Sequence, residues 1–395
     1  MSTTLTATRH RVSSIDLLRG LVMIIMALDH CRDFFHYNAS IGQDPLNLVT
    51  TSPILFFTRW ITHFCAPVFV FLTGTGIFLY SSKGKTKKQV AFFLLTRGLW
   101  LMLAEILVIG PLWDFNITFV ALQVIWAIGL AMVILSVLIF LPYNVLFVLG
   151  IAIVCFHNLL DGITLNGNDW PSFGWAVIHQ QHVFDINGHL KIALFYPVLS
   201  WLGLMICGYC LGKLFLPGVD SGFRKKVLRY TGLFLIVLFI IIRWTDLYGD
   251  MNKWANQRSA LYTFFDFIDV TKYPPSILYM LMTIGPALIL LSLFEKTNNM
   301  VSRKIIVFGK VPFFYYVLHV FLIHFFAWIA FFITGHSWQQ LDFTHFRNGS
   351  LPYGSGYRLW VVYMVWALII IILYFPCRWY SQYKATHSQW WLSYI

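Results

Sequence analysis

The chain has 395 residues, of which 58% are hydrophobic and only 11% charged. A soluble domain carries about 25% charged residues, so this composition excludes an ordinary soluble fold and leaves too few charges to cover a separate water-soluble domain. The formal charge of +12 is explained without nucleic acid, because membrane proteins gather Lys and Arg in their cytoplasmic loops.

A helix needs about 20 residues to cross the hydrocarbon core. Apolar runs of that order fall at 17–35, 55–80, 90–110, 118–139, 145–155, 192–214, 230–244, 277–293, 311–334 and 359–375. The fourth and fifth are divided at Leu141-Pro-Tyr-Asn144, because Pro and Asn punctuate helices. The polar N-terminus lacks an A-x-A-like cleavage site, so the first run stays as a membrane helix. With the N-terminus cytoplasmic, Lys83, Lys85, Lys87 and Lys88 lie inside. So do Lys213, Arg224 to Lys226, Arg229, Lys296, Arg303, Lys304, Arg378 and Lys384. The predicted fold is an all-α polytopic membrane bundle of about ten transmembrane helices, both termini cytoplasmic, forming one domain over residues 1–395. Cys207 and Cys210 form a C-x-x-C inside an apolar run with no second pair at zinc-ligand spacing, so the cysteines read as packing residues and no metal is expected. Glycosylation triplets at Asn38, Asn116 and Asn348 are common by chance and carry no weight.

Ionisable residues inside membrane helices are costly and by default mark function. In the first run, Arg19 and His30 are eleven residues apart, close to three helical turns, so they share one face about 16 Å apart. Asp29, Arg32, Asp33 and His36 give the same helix a polar stripe. Arg59 and His63 are four apart in the second run and face one way, and His63 is expected at nearly the depth of His30. Glu105 and Asp114 fall at the same level in or just beyond the third run. His319 lies one turn after Tyr315 in the ninth, with His324 nearer the outside. Arg97 and Arg19 stay towards the inner face, and Asp16 reads as a cap or a partner of Arg19. The set suggests a polar passage across the bilayer. Arg32, Asp33, Arg59 and Asp114 can equally pair among themselves, and His157, His179, His182, His189 and His345 read as loop histidines.

The opening SIDLLRGLVMIIMALDHCRDFFH and the block TSPILFFTRWITHFCAPVFVFLTG resemble the catalytic family of heparan-α-glucosaminide N-acetyltransferases, in a bacterial branch. LLTRGLWL, LQVIWAIG, HNLLDG, YPVLSWLG, GKVPFFYYVLH and WWLSYI are similar too, so the resemblance covers essentially the whole chain. It implies an inner-membrane enzyme that moves an acetyl or other acyl group from cytoplasmic acyl-CoA to an acceptor on the far side, a sugar amine or hydroxyl. In the lysosomal relative that acceptor is a terminal glucosamine, and the active histidine lies further beyond the R-G motif, which makes His36 the nearest counterpart. In the broader sugar O-acyltransferase superfamily a histidine follows L-R-G at the spacing of Leu18-Arg19-Gly20 and His30. His30 is therefore placed first and His36 second as base or acyl carrier, with His63, Asp33 and Asp29 completing the catalytic set and Asp33 orienting His30.

Acyl transfer from a thioester needs a base or a nucleophilic imidazole, and a histidine with an ordinary pKa of about 6.5 suits it. Arg19 and Arg97 are expected to hold the coenzyme A phosphates, since guanidinium geometry favours bidentate phosphate contact. Arg32, Arg59, Glu105, Asp114 and His319 are expected to face the acceptor. The partners are then the lipid bilayer, the coenzyme A thioester and a glycan acceptor, with homo-oligomers permitted and nucleic acid excluded. A proton-coupled transporter is the other reading of intramembrane histidines and carboxylates, weakened by the lack of inverted repeats.

Overall fold

The computed structural model describes residues 12–115, 118–343 and 350–394. Arg9, Arg11, Asn116, His345 and Asn348 lie outside them. Helix α1 is Ser13–Phe35. It is followed by α2, Pro53–Ser81, α3, Lys87–Trp113, strand β1, Phe119–Leu122, and α4, Val124–Leu138. Next come α5, Tyr143–Leu160, α6, Trp170–Ile178, and strands β2, His182–Ile186, and β3, Leu190–Leu194. The chain continues with α7, Val198–Phe215, α8, Ser221–Thr245, and the short α9, Ala260–Ile268. Helices α10, Ile277–Phe294, α11, Met300–Lys310, α12, Pro312–Ile333, and α13, Leu359–Thr386, complete it.

Among the described residues, eight helices are long and apolar enough to cross a membrane: α2, α3, α5, α7, α8, α10, α12 and α13. Helix α1 has the length, 23 residues, but carries the charged stripe, and α4 is apolar but only 15 residues long. The protein is an all-α polytopic membrane protein, with a helix at the place of each of the ten expected runs.

Two of those runs start too early in the sequence reading. The segments expected to open helices at 118 and 192 are instead strands β1 and β3, which pair in parallel with Phe119 opposite Lys191. Strand β2 adds antiparallel to β3, giving the order β1-β3-β2. An apolar strand that abuts an apolar helix looks like one long run, and periodicity alone does not divide it. Pro197, at the N-cap of α7, and Gln123, at that of α4, mark the true joints.

Helix packing is organised by glycines that meet backbone to backbone. A Cβ on Gly20 would lie 2.2 Å from Ile305 O, and one on Gly309 1.9 Å from Asp16 O, which seats α1 on α11. Gly74 and Gly208 do the same for α2 and α7 (2.0 Å each way), Gly98 and Gly129 for α3 and α4, and Gly232 and Gly285 for α8 and α10. These are also the four most intimately packed helix pairs. Lipid tails supply no hydrophobic drive between helices, so close backbone approach and dispersion must supply the association.

Proline positions explain the irregular turns. Pro67 has no N–H for the carbonyl of His63 four residues back, and Ile61–Phe64 tightens into a 3₁₀ turn inside α2. The Tyr279 hydroxyl of α10 donates to that orphan carbonyl at 2.7 Å. In α3, Pro111 follows a π turn, Glu105–Ile109, in which Gly110 N–H reaches back to Glu105 O.

Gly74→Leu should cost at least the roughly 1–3 kcal/mol of an overpacked core, whereas Gly76→Ala, whose Cβ meets nothing nearer than Arg19 Nη2 at 3.9 Å, should not lower stability. Thermal unfolding in detergent compares them; equal melting temperatures would contradict the packing account.

Candidate functional site

A cavity of about 440 Å³ runs between α1, α2, α3, α4 and α12. One end is basic: Arg19 of α1, Arg97 of α3, Lys310 at the end of α11 and Lys384 of α13 all line it. The middle is apolar, with Met26, Phe69, Leu72, Leu101, Ile128 and Phe313. The other end is polar and aromatic, lined by Asp29, His30, Arg32, Asp33, Arg59, Trp113, Tyr196, Lys272, Tyr273 and Tyr316.

At the basic end, the helical spacing places Asp16 one turn from Arg19, and Arg19 Nη1 donates to Asp16 Oδ1 at 3.4 Å and to the Gly309 carbonyl at 3.4 Å. Its Nη2 reaches the Leu72 carbonyl at 3.5 Å. These contacts place the guanidinium beside the cavity. Gly76, with no side chain, leaves it room. The Arg97 guanidinium lies 6.0 Å above the Phe93 ring.

At the other end, Asp29 is shared. Arg59 Nη1 donates to its Oδ2 at 2.5 Å, and Arg32 donates to its Oδ1 from Nη2 at 3.0 Å and from Nε at 3.3 Å. Arg32 Nη2 also donates to Asp33 Oδ1 at 2.6 Å. The stripe thus pairs within itself and with α2. Asp33, expected to orient His30, is taken by Arg32.

His319 occupies the orienting position instead. Its Nδ1 lies 3.0 Å from the Tyr315 carbonyl, which can only accept, so Nδ1 carries the proton and Nε2 is the acceptor. His30 Nδ1 lies 2.7 Å from that Nε2 and must therefore donate to it. The hydrogen-bond network thereby assigns a tautomer that leaves His30 Nε2 with a lone pair, and among the described residues it has no hydrogen-bond partner. The His30 ring is edge-on to Trp113 and Tyr316 and nearly coplanar with that of His319, their planes 15° apart and centroids 4.8 Å apart, as the N–H···N bond between them requires.

Other expected residues are elsewhere. His63 is buried behind the cavity wall against Tyr279. His36 caps a short helix, Tyr37–Ser40, by accepting from Asn38 N–H at 3.3 Å. Glu105 is fully buried on the π turn and caps α4, accepting from Trp126 N–H at 3.3 Å. His324 bonds the Leu112 carbonyl at 2.7 Å. Asp114 ends the Gly110–Asp114 segment, and its side chain lies outside the described residues. None of His63, His36, Glu105 or His324 lines the cavity.

Several lining residues escaped the sequence reading. Lys310 sits in the GKVPFF block, quoted only for its resemblance, and Lys384 in the C-terminal tail, read there only as loop charge. Lys272 and Tyr273 come from the 246–276 segment, which two polar side chains hold in place. Arg243 donates to the carbonyls of Asn252, Asp266, Phe267 and Asp269. Asp250 accepts from Thr271 N–H, Thr271 Oγ1 and Ser276 Oγ. In this loop burial pushes the Tyr273 phenol up, but Lys272 and Arg59 beside it bring it below its usual value. Tyr196, whose hydroxyl lies 3.2 Å from that of Tyr273, is pushed well up by burial.

The chain matches the family model described as heparan-alpha-glucosaminide N-acetyltransferase, catalytic, over residues 11–248. No curated protein matches it.

Removing one partner of a buried ion pair costs about 3–5 kcal/mol, so Arg59→Met should destabilise the protein on that scale, and Asp29→Asn with Arg59→Met should recover part of the loss. Chemical denaturation in detergent measures both; a loss under about 1 kcal/mol would put the pair in the weak, solvated class. Burial, with Asp44 and Asp266 adding to it, raises the Asp269 carboxyl from 3.8 to about 7. A raised carboxyl binds its proton more tightly in the folded state, so its contribution is fully present below the unfolded value and is lost as pH rises to about 7. Asp269→Asn should flatten the fall in melting temperature across that window; an unchanged pH profile would refute the assignment.

Proposed function

We propose, from the premise that the chain belongs to the heparan-α-glucosaminide N-acetyltransferase catalytic family, that it transfers an acetyl or other acyl group from cytoplasmic acyl-CoA to an amine or hydroxyl of a sugar acceptor on the opposite face. The coarser statement follows from membership itself: this is an integral membrane protein of acetyltransferase type. The observation that carries the finer reading is a single cavity with four cationic side chains at one end and an oriented, unpartnered imidazole nitrogen at the other. That cavity also supports a single domain over residues 1–395, because its lining draws on residues from Arg19 to Lys384, well beyond the matched 11–248.

On this reading Arg19, Arg97, Lys310 and Lys384 receive the phosphates of the donor, the apolar middle takes its extended arm, and the thioester carbonyl reaches His30. Eleven residues of helix separate Arg19 from His30, about 16 Å at 1.5 Å per residue. His30 Nε2 accepts the proton of the acceptor amine or hydroxyl as that atom attacks the carbonyl carbon. The imidazolium keeps its Nδ1–H on His319. Collapse expels the coenzyme A thiolate, to which His30 returns the proton. Arg59, Arg32 and Lys272 border the acceptor side, and the Tyr196–Tyr273 pair supplies a phenol that can follow the developing charge. The Arg19 end is cytoplasmic in this scheme, with ten spans and both termini inside, in keeping with the basic loops; in a bacterium the membrane is the inner one.

His30→Ala should lower turnover of labelled acetyl-CoA by a factor of about 100 to 10,000 with acyl-CoA affinity retained, while Arg19→Ala and Lys310→Ala should weaken affinity first. Full activity in His30→Ala would end the assignment, and a larger loss in His36→Ala would transfer the role. Impermeant-thiol labelling of Ser82→Cys in intact cells tests sidedness; labelling from outside would invert it.

A further inference from the structure

A second histidine cluster lies apart from the cavity, where α5 ends and α6 ends. His157 and Asp161 are four residues apart across the 3₁₀ turn His157–Leu160, and His179 is the C-cap of α6. One ring nitrogen of each histidine and one oxygen of Asp161 lie within 4.8 Å of one another. His157 is 3% exposed and His179 2%, so both imidazoles are withdrawn from solvent. Among the described residues neither nitrogen of His157 has a hydrogen-bond partner, and neither does His179 Nδ1. A neutral imidazole buried with both nitrogens unanswered is costly, and apolar side chains of that size would pack there more cheaply.

The carboxylate is meanwhile held ready. His179 Nε2 contacts Asp161 Oδ1 at 2.8 Å, and Asn158 Nδ2 donates to Oδ2 at 2.8 Å. Asn158 is itself fixed, its Oδ1 accepting from Ile277 N–H at 2.9 Å. Support of a carboxylate by a hydrogen-bonded neighbour is what metal sites require around their ligands.

We propose that His157, Asp161 and His179 form a binding site for one divalent transition-metal ion, with zinc the best match to two imidazoles and a carboxylate. Nitrogen and oxygen ligands at about 2.0–2.2 Å suit zinc, and imidazole disfavours magnesium and calcium, which take oxygen. Zinc ligands in a tetrahedron stand about 3.3 Å apart, from the bond lengths above, so the three side chains close inward slightly on binding and water completes the shell. None of the three lines the cavity, so the ion is structural. It pins the end of α6, from which the chain runs through β2 and β3 to Tyr196 in the cavity wall, against the end of α5.

The test uses the full chain in detergent, its affinity tag removed, dialysed against EDTA and titrated calorimetrically with zinc chloride or magnesium chloride. One zinc should bind per chain, magnesium should not, and zinc should raise the melting temperature. His157→Gln and His179→Gln should each weaken zinc binding at least about 100-fold, the upper end of what even an outer-shell loss costs. Zinc-edge X-ray absorption of the loaded wild type should contain scattering from two imidazoles, a readout that stands if the variants fail to fold. Absence of stoichiometric zinc in the wild type, zinc affinity unchanged in both variants, or a spectrum without imidazole would each overturn the proposal.

Discussion

A carboxylate on a membrane helix persists in its charged form only when cations answer it locally, and Asp29 is answered from two directions. Arg32 comes from the next turn of α1 and Arg59 from α2, so the pairing that neutralises Asp29 also joins the two helices. That junction sets the geometry of its neighbour. His30 follows Asp29 in the chain and so points about 100° further round α1, onto His319 of α12. The ion cluster and the histidine pair are therefore one construction, with α1 between them.

The same accounting for polar groups explains features that otherwise look incidental. Two prolines free backbone carbonyls or loosen helical turns, and each irregular turn then receives a specific polar partner or role. The carbonyl released by Pro67 takes the Tyr279 hydroxyl, which ties α2 to α10. The π turn before Pro111 carries Glu105 to the amino end of α4, where helix N–H groups point outward unanswered. The carboxyl expected from the sequence to face the acceptor thus caps α4, a helix of only 15 residues.

What could be read from the sequence follows from how local each relation is. Arg19 and His30 lie eleven residues apart on one helix, and the 3.6-residue period alone places them on one face, so the histidine at the polar end of the cavity was legible. Length and apolarity made the helices legible as well. The partner of His30 was not, because Asp33 and His319 both lie within plausible reach and only the three-dimensional crossing of α1 with α12 decides between them. Lys384 reads as ordinary loop charge and Lys310 carries no assignment until α11 and α13 bring them to the same cavity. The strands β1 and β3 were hidden because their apolar residues continue directly into apolar helices. His157 and His179 looked like loop residues for the opposite reason: nothing local signals that the α5–α6 connection folds them back together.

The rigid and the adaptable parts of the bundle are separated by the same chemistry. Helices seated glycine on glycine have no side chains between their backbones to act as a cushion, so sliding α1 on α11 or α2 on α7 would drive carbonyls into one another. Such interfaces resist continuous deformation. Around the cavity, however, α2 is interrupted by the 3₁₀ turn at Ile61–Phe64 and α3 by the π turn at Glu105–Ile109, both beside the Asp29 and His30 end. Irregular turns have weaker backbone hydrogen bonding and often mark hinges. The basic end is thereby built between rigid pairs, while the end with the histidine has the turns that can yield. The proposed transfer would use that asymmetry, with fixed charges where the donor is held and flexible walls where the acceptor arrives.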